Sequence, residues 1–259
     1  MRVAYIDVDG TLLGPGGHLL RDARGAFSDG AVRALALLHA ESVPLVLVSG
    51  RGRTRLEATG RLLGADGLLA EMGAADADHP RRPGQSVYDA IAETGLPDLL
   101  LDREPGLERH PAGLTGREGS HVFRGRVGDD AVAFVREASD GRLRLADNGR
   151  IAPDGGHIFH LLPASASKAA AVAADVAARG ADAAACLAVG DSRQDLDMRR
   201  VVGRVAIVAN GAEADPSVAA DAEWVTAAAY GAGVLEAVRA WLAGATAAAR
   251  GARALPGRR

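Results

Sequence analysis

The sequence predicts an α/β protein whose parallel-sheet core is interrupted by an inserted α+β domain. Wholly apolar segments of four or five residues alternate with helical patterns in residues 1–74 and again after residue 163. Between these stretches, three segments instead alternate apolar and polar residues. Continuous apolar runs are typical of strands buried in a parallel sheet, whereas alternation is typical of antiparallel strands with one face in water. Two kinds of sheet in one chain are therefore expected.

The core is predicted to contain five buried strands joined by helices. Apolar runs place the strands at residues 3–6, 44–48, 67–70, 185–189 and 205–208. Helical periodicity places the main helices at residues 29–40, 53–63, 165–179 and 231–242. Strands that alternate with helices through short turns form parallel sheets with right-handed crossovers. We therefore predict a Rossmann-like core built from residues 1–74 and 164–243.

The inserted segment, residues 75–163, is predicted to form an α+β domain of about 90 residues, which is within the usual range of domain sizes. The alternating and helical patterns place strands at 121–127, 142–145 and 157–162, and helices at 86–93 and 130–138. Residues 107–119 follow no period and are interpreted as an irregular loop. From residue 244 onward alanine, glycine and arginine dominate without an apolar period. A flexible tail is therefore predicted for residues 244–259.

The composition argues against several classes of protein. The formal net charge is −3, with acidic and basic residues interspersed, which argues against a nucleic-acid-binding surface. The single cysteine, Cys186, lies in an apolar run, so we expect a packed thiol and no disulfide framework. Asp7 interrupts the first apolar run, so we expect no signal peptide, and no run approaches the roughly 18 residues of a membrane span. A cytoplasmic protein without membrane or nucleic-acid partners is expected.

Lys168 is the only lysine among the 30 basic residues of the chain. Lysine offers a compact ammonium and arginine a planar guanidinium, so the two are not equivalent donors. A chain that uses arginine at every other basic position and keeps one lysine favours a site that requires a small cation. The predicted helix at 165–179 carries this lysine in its first turn.

Polar side chains follow three of the predicted core strands at the point where each strand ends. Asp7 and Asp9 follow the first strand, Ser49 the second and Asp191 the fourth. Ligands of open α/β sheets bind beyond the carboxyl ends of the strands, so we expect these groups to converge. Two carboxylates held close together repel each other and require a cation or a proton. The pattern therefore predicts a cation site at this edge of the sheet.

The segment Asp7-Val8-Asp9-Gly10-Thr11-Leu12 resembles the first motif, Asp-x-Asp-Gly-Thr, of the haloacid dehalogenase (HAD) superfamily of phosphatases. The resemblance covers nearly the whole chain. Ser49 matches the second motif, Lys168 the third, and Asp191 together with Asp195 the fourth. The resemblance implies a HAD core, with Asp7 as the nucleophile and Asp9 as a general acid/base.

The same residues indicate how the chemistry would proceed. Asp7, Asp191 and the backbone carbonyl of Asp9 offer hard oxygen ligands of the kind that Mg²⁺ prefers. Because Mg²⁺ neutralises a bound phosphate, the carboxylate of Asp7 can attack phosphorus and form an aspartyl-phosphate. Asp9 can protonate the leaving alkoxide and later deprotonate the water that releases phosphate.

The remaining assigned residues hold the phosphate or support the metal site. The phosphoryl oxygens are assigned to Thr11, Ser49, the N–H of Gly50 and Lys168. Asp195 and Asn210 are assigned to supporting positions, although Asp195 is also expected as an acid near a helix N-terminus. Gln194 departs from the family pattern, which usually has asparagine before the aspartate that Asp195 matches. That departure affects the fine geometry around Asp195 and leaves the chemistry unchanged.

The inserted segment resembles the large α+β cap of the Cof-type and sugar-phosphate phosphatase branches of this superfamily. Such caps close over the site and read the leaving group, and the candidates here are Arg124, Arg126, His157 and His160. Each candidate is also explained as a residue on the exposed face of a cap strand. His157 and His160 are three residues apart on a strand, so they point to opposite faces and do not predict a metal site.

Other functions on this fold are weighed against the phosphatase. A dinucleotide-binding turn is disfavoured because Gly50 and Gly52 are followed by Arg55 where a third glycine is required. A nucleotide-binding Walker loop is excluded because Lys168 has no glycine-rich segment before it. A phosphomutase and a catalytically silent binding or regulatory protein stay open. We predict a magnesium-dependent phosphomonoesterase that acts on a phosphorylated sugar or a similar small metabolite.

Overall fold

The structure, a computed structural model, describes residues 1–111, 115–150 and 156–253. The strands are β1 Ala4–Asp7, β2 Leu45–Val48, β3 Gly67–Leu69, β4 Leu107–Arg109, β5 His121–Gly125, β6 Leu143–Arg150, β7 His157–Pro163, β8 Leu187–Gly190 and β9 Arg204–Ile207. The α-helices are α1 Gly30–Ala40, α2 Arg53–Leu63, α3 Val87–Glu93, α4 Leu96–Arg103, α5 Ala131–Ala138, α6 Lys168–Arg179, α7 Arg193–Leu196, α8 Ala209–Ala214, α9 Pro216–Asp221 and α10 Tyr230–Arg253. None of the helices described is long and apolar enough to cross a membrane.

The chain divides into two compact units. The first unit contains Met1–Leu47, Leu63–Gly67 and Val172–Arg259, and the second contains Val48–Leu62 and Leu68–Ala171. Both units are discontinuous in sequence, in line with an insertion into a core. The boundaries at residues 75 and 163 stay a prediction, because the compact second unit begins before the inserted segment.

A five-stranded sheet has the order β3-β2-β1-β8-β9. β1 pairs with β8, and β8 pairs with β9, both in parallel. All four residues of β1 and of β8 are buried, because apolar runs of this length hide both faces of a strand between layers of helices. The predicted α/β fold with a parallel-sheet core is confirmed. The carboxyl ends of β1 and β8 therefore lie at the same edge of the sheet.

Helices α1 and α10 of the first unit pack closely through glycine. A Cβ atom on Gly30 would lie 2.6 Å from the Cα of Ala232, and one on Gly231 would lie 2.5 Å from the Cβ of Ala31. Neither position therefore accepts a side chain without separating the helices. Trp241 on α10 is 8% exposed, which adds a large apolar side chain to this layer.

The second unit contains a four-stranded sheet of order β4-β5-β7-β6, with antiparallel pairs throughout. Its hydrophobic core joins the sheet to helices α3, α4 and α5 through Ile91, Leu100, Phe123, Val135 and Leu161. The alternating sequence pattern therefore identified the correct kind of sheet.

The prediction and the structure differ in three parts of the chain. Residues 107–119 were interpreted as an irregular loop, but Leu107–Arg109 forms β4, a strand too short to show a period. Helix α4 was not predicted. Its residue Pro97 would break a helix in the middle, but here the proline lies in the first turn, where its missing N–H costs no hydrogen bond. Regular structure does not end at residue 244, since α10 continues to Arg253. The rest of the predicted tail, residues 254–259, lies outside the described residues.

Candidate active site

The carboxylates of Asp7 and Asp191 share the hydroxyl of Thr11. The Oγ1 atom of Thr11 lies 3.2 Å from Oδ2 of Asp7 and 2.7 Å from Oδ1 of Asp191. Asp7 closes β1 and Asp191 directly follows β8. The parallel pairing of these strands therefore brings together two acidic residues that are far apart in sequence. A hydroxyl has one proton, so Thr11 can donate to only one of the two carboxylates at a time.

Asp195 holds the loop that carries Asp191. Its Oδ2 atom accepts hydrogen bonds from the backbone nitrogens of Asp191 and Ser192, at 3.2 and 3.0 Å, and from the Ser192 hydroxyl at 2.6 Å. Ser192 and Asp195 form a capping box at the start of α7, so the expected helix N-terminal acid is present. A Cβ on Gly190 would lie 2.1 Å from Cβ of Asp195. Glycine at position 190 therefore makes room for this fully buried carboxylate.

Gly10 and Asn210 fix the loop that follows Asp9. Gly10 has φ of +84°, and a Cβ there would lie 2.4 Å from Oδ2 of Asp191, so the turn requires glycine for both conformation and space. The side-chain amide of Asn210 donates to the carbonyl of Gly10 at 2.8 Å and accepts from the nitrogen of Tyr230 at 2.9 Å. Asn210 thereby ties the turn after Asp9 to the first residue of α10.

Asp9 differs from Asp7 in its environment. The side chain of Asp9 is exposed, whereas Asp7 is 4% exposed and Thr11 is fully buried. An exposed carboxyl on a short turn can exchange protons with solvent and with a bound molecule. A buried carboxylate held by a hydroxyl is kept in one orientation. These environments suit a general acid/base at Asp9 and a positioned nucleophile at Asp7.

The donor set of the first unit fits a hard divalent cation. Carboxylate oxygens of Asp7, Asp191 and Asp195 all lie within 4.8 Å of one another. At an effective dielectric constant of about 20, two unit charges this close repel by roughly 3–4 kcal/mol, a cost that a cation would remove. The Oδ2 atom of Asp195 accepts hydrogen bonds from the backbone nitrogens of Asp191 and Ser192. Asp7 and Asp191 are therefore the better candidates for direct ligands of Mg²⁺.

Ser49 and Gly50 belong to the second unit. Ser49 directly follows β2 and is 1% exposed. Its hydroxyl accepts a hydrogen bond of 3.1 Å from the nitrogen of Arg51. Its backbone nitrogen donates to Leu69, and its carbonyl accepts from the nitrogen of Met72. The turn after β2 is therefore rigidly held, as a phosphate-binding turn would need to be.

Lys168 is the first residue of α6 and is only 2% exposed. The preceding Ser167 accepts a hydrogen bond of 3.0 Å from the nitrogen of Ala170 through its side chain, which begins the helix. Arg144 donates to the carbonyl of Ala166 at 2.8 and 3.2 Å and so fixes the approach to the lysine. A lysine this deeply buried is not a surface residue retained by chance.

The structure brings together only part of the predicted site within one unit. Asp7, Asp9, Thr11, Asp191, Asp195 and Asn210 belong to the first unit, and Ser49, Gly50 and Lys168 belong to the second. The joint action of the two sets on one phosphate stays a prediction. The same is true of the role of Thr11 as a phosphate ligand, since its hydroxyl bonds with Asp7 and Asp191.

A buried carboxylate that the sequence analysis missed organises the second unit. Glu71 is fully buried, and its oxygens accept hydrogen bonds of 2.8 to 3.1 Å from the nitrogens of Glu118, Gly119 and Ser120 and from the Ser120 hydroxyl. Nε of Arg117 lies 3.1 Å from the same carboxylate. The sequence signal that could have identified Glu71 is an acidic residue directly after the strand predicted at 67–70. Asp7 likewise directly follows the strand predicted at 3–6.

Arg117 connects this cluster to Gly50 and His160. It donates to the carbonyl of Gly50 at 2.9 Å, and another of its nitrogens lies 3.3 Å from Nδ1 of His160. His160 is 2% exposed, so its interpretation as a residue on an exposed strand face is wrong. The face of β7 that was expected in water instead packs against the loop that contains Arg117.

The other candidates in the cap lie in more open surroundings. Arg124 pairs with Glu108 at 2.5 Å across β4 and β5, and His157 bonds to Asp147 at 2.7 Å. These two pairs are partly exposed to solvent. Arg124 and His157 therefore fit the interpretation as exposed strand residues. Recognition of the leaving group by Arg124, Arg126 or His157 stays a prediction.

Comparison with known proteins supports the HAD resemblance. The family model of haloacid dehalogenase-like hydrolases matches residues 138–238. Phosphoglycolate phosphatase of Methanothermobacter thermautotrophicus is 28% identical over 243 residues, which cover 93% of this chain and 99% of that protein.

Two solved structures share the fold over most of the chain. A protein of Thermoplasma acidophilum has a TM-score of 0.68 at 22% identity, and the match covers 93% of this chain and 98% of that one. Sucrose-phosphatase of a Synechocystis species, solved with sucrose and phosphate, has a TM-score of 0.66 at 16% identity and the same coverage. At these identities the likeness concerns the fold alone. The sequence motifs, the family match over residues 138–238 and the shared fold together support the resemblance of the chain to the haloacid dehalogenase-like hydrolases.

Proposed function

We propose that the protein is a magnesium-dependent phosphomonoester hydrolase that works through an aspartyl-phosphate on Asp7. The observation that carries the proposal is that the carboxylates of buried Asp7 and half-buried Asp191 both lie within hydrogen-bond reach of the buried hydroxyl of Thr11. When bound between Asp7 and Asp191, Mg²⁺ would supply positive charge that offsets the charge of the phosphate. The side chains of the protein carry out the chemical steps themselves.

Asp7 and Asp9 divide the chemical work. An oxygen of Asp7 forms a bond to phosphorus while the bond from phosphorus to the leaving oxygen breaks. Asp9 donates its proton to that leaving oxygen, so a neutral alcohol departs. Asp9 then removes a proton from water, which attacks phosphorus, releases inorganic phosphate and restores the carboxylate of Asp7. The exposure of Asp9 beside a buried Asp7 supports this division.

In this proposal, three residues of the second unit hold the phosphoryl oxygens. The N–H of Gly50, the hydroxyl of Ser49 and the ammonium of Lys168 stabilise the negative charge that spreads over the transferring group. Burial of Lys168 and Ser49 supports this role, because electrostatic contacts are stronger where water is excluded.

The substrate is proposed to be a small phosphorylated metabolite, and the enzyme to act in the cytoplasm without nucleic-acid or membrane partners. The sequence analysis favoured a sugar phosphate. A relative that matches 93% of the chain is named phosphoglycolate phosphatase, which adds phosphorylated hydroxy acids to the candidate classes.

Phosphate release from a panel of sugar phosphates and phosphorylated hydroxy acids tests the proposal. With Mg²⁺ present, the purified protein should release one inorganic phosphate for each molecule of monoester consumed, and chelation of the metal should stop the reaction. Conversion of a substrate to its positional isomer with little free phosphate would instead identify a phosphomutase. Absence of turnover on the whole panel, with folded protein, would contradict the proposed enzyme.

A further inference from the structure

Two cap side chains lie against Gly50, the residue after Ser49. A Cβ atom on Gly50 would lie 3.2 Å from Cε1 and 3.3 Å from Nε2 of His160, and 3.3 Å from the side-chain nitrogen of Asn148. Because Cβ lies roughly 2.5 Å from its own backbone nitrogen, Nε2 of His160 is within about 6 Å of the Gly50 nitrogen. Polar side chains therefore border the turn that we assign to the phosphate.

The hydrogen bonds of His160 define its tautomer. Arg117 has only donors, so Nδ1 of His160, 3.3 Å from the Arg117 guanidinium, must accept. In a neutral imidazole the proton is then on Nε2, the nitrogen next to Gly50. Burial, with the charges of Arg117 and Lys168, lowers the pKa of His160 well below its ordinary value. The ring therefore presents a neutral N–H donor beside Gly50 at physiological pH.

Glu71 and Arg117 hold this donor in place. The carboxylate of Glu71 contacts Arg117 and Ser120, and Arg117 in turn reaches both the Gly50 carbonyl and His160. Arg117 has 5% side-chain exposure and Glu71 has none. A buried ion pair with this many hydrogen bonds restrains the groups that it contacts. The position of His160 relative to Gly50 is therefore fixed before any ligand arrives.

The electrostatic surroundings of the donor favour an anion. Lys168 and Arg144 place positive charge near His160, and Arg117 adds to it although its own charge is offset by Glu71. Neutral sugar hydroxyls gain little from such a potential, whereas a carboxylate gains a charge-assisted hydrogen bond. The short distance from the Gly50 nitrogen to Nε2 suits a small molecule that carries a phosphate and a second anionic group a few bonds apart.

We propose that the Nε2–H of His160 and the amide of Asn148 bind a carboxylate on the leaving group of the substrate. The inference rests on the proposed function and narrows it to phosphomonoesters of small hydroxy acids. His160 and Asn148 then determine specificity, and Glu71 and Arg117 are positioning residues.

A matched pair of esters tests the inference. Phosphoglycolate carries a carboxylate, and 2-hydroxyethyl phosphate carries a neutral hydroxymethyl group at the same position. The wild-type enzyme should prefer phosphoglycolate by at least about tenfold in kcat/KM, since a hydrogen bond to a charged group contributes at least that much. Equal kcat/KM for the two esters would overturn the inference and leave the phosphatase proposal intact. Turnover of neither ester, nor of any other monoester, would overturn the phosphatase proposal itself.

Substitutions then assign the preference to residues. His160→Ala should reduce the acid-to-neutral ratio of kcat/KM by at least about tenfold, mainly through KM for phosphoglycolate. His160→Gln retains an N–H donor and should recover part of the ratio. Asn148→Ala, at a half-buried position, should lower the ratio in the same direction and provides a second test if the His160 variants fold poorly.

His121→Ala is the matched control, because His121 is another buried imidazole of the same sheet and does not contact Gly50 in the described structure. It should leave the acid-to-neutral ratio unchanged even if it lowers the melting temperature. An unchanged ratio in folded His160→Ala and Asn148→Ala would show that these residues have only a structural role.

Discussion

The carboxylate of Asp195 accepts a hydrogen bond of 3.2 Å from the backbone nitrogen of Asp191, four residues earlier in the chain. The same oxygen holds the nitrogen and hydroxyl of Ser192. Asp195 therefore determines how the Asp191 side chain is presented toward Asp7, although the fourth motif by itself does not reveal this task. The proposed metal site therefore has a support, Asp195, that can be weakened without removal of a proposed ligand.

Asp195→Asn should weaken activation by Mg²⁺. The amide keeps the shape of the side chain but is a poorer acceptor for two N–H groups and a hydroxyl. We expect the Mg²⁺ concentration for half-maximal activity to rise roughly tenfold to a hundredfold, as outer partners of metal ligands commonly affect affinity. Titration of activity with Mg²⁺ measures the change. Asp221→Asn, at an exposed acid that pairs with Arg193, is the control and should titrate like the wild-type enzyme.

Asp7→Asn should remove turnover and leave the fold intact. Asparagine has the same shape, but it neither attacks phosphorus nor binds Mg²⁺ well. Loss of one charge from a crowded acidic group should not lower the melting temperature without metal. The melting temperature of the wild type should rise with Mg²⁺, and that rise should shrink in the variant. Phosphatase activity near the wild-type level in Asp7→Asn would contradict the covalent mechanism.

Lys168→Arg should reduce kcat/KM by at least about tenfold, which corresponds to roughly 1.4 kcal/mol of transition-state stabilisation. The charge is kept, but the guanidinium is longer and flatter than the ammonium, so its point of contact is displaced. A thermal melt checks that the variant is folded at the assay temperature. The reverse exchange Arg33→Lys, on an exposed pair with Asp29, should change neither kinetics nor melting. Full activity of Lys168→Arg would mean that the third motif is elsewhere.

The stability of the protein should fall as the pH drops from 7 to 5, in part because of His121. Burial lowers the pKa of His121 to about 4, although its hydrogen bond to the carbonyl of Tyr88 opposes this shift. Below pH 6.5 the unfolded chain binds a proton at this imidazole that the folded chain does not bind. The contribution of neutral His121 to the free energy of unfolding is therefore fully present above about pH 6.5 and is lost as the pH falls toward 4.

For His121 this loss is about 2 kcal/mol between pH 7 and pH 5. Urea denaturation of the wild type and of His121→Phe at both pH values measures the loss of stability that is due to His121. Phenylalanine keeps the stacking on Tyr88 but cannot be protonated. The variant should lose less stability on acidification than the wild type. Identical losses for the two proteins would show that His121 is protonated equally well in the folded and unfolded states.

The sequence was most informative where local pattern and tertiary environment agree. Each core strand was found within a few residues as a short apolar run, and the three central strands β1, β2 and β8 are buried along their whole length. The general rule that ligands bind beyond strand carboxyl ends placed Asp7 next to Asp191 without any contact information. The superfamily resemblance and the α/β fold followed from these residues.

The residues that were missed depend on contacts between distant parts of the chain. Glu71 and Arg117 form a buried pair, but Arg117 lies in a segment without a period, and nothing local marks its partner. His160 alternates with apolar residues as a solvent-facing residue would. It is buried because the loop around Ser120 covers that face of β7. An alternating pattern identifies two faces of a strand, and only tertiary packing determines which of them meets water.

The pairing of β1 with β8 has a consequence for the order of events during synthesis. The ribosome makes Asp7 before the inserted segment, but Asp191 and the strand that carries it emerge only after the whole inserted segment has been translated. Asn210 and Tyr230, which fix the turn after Asp9, emerge later still. A nascent chain therefore carries its proposed nucleophile long before it can assemble the acidic group around it. Activity should appear late and abruptly, so unfinished chains released from the ribosome would not hydrolyse metabolites in the cell.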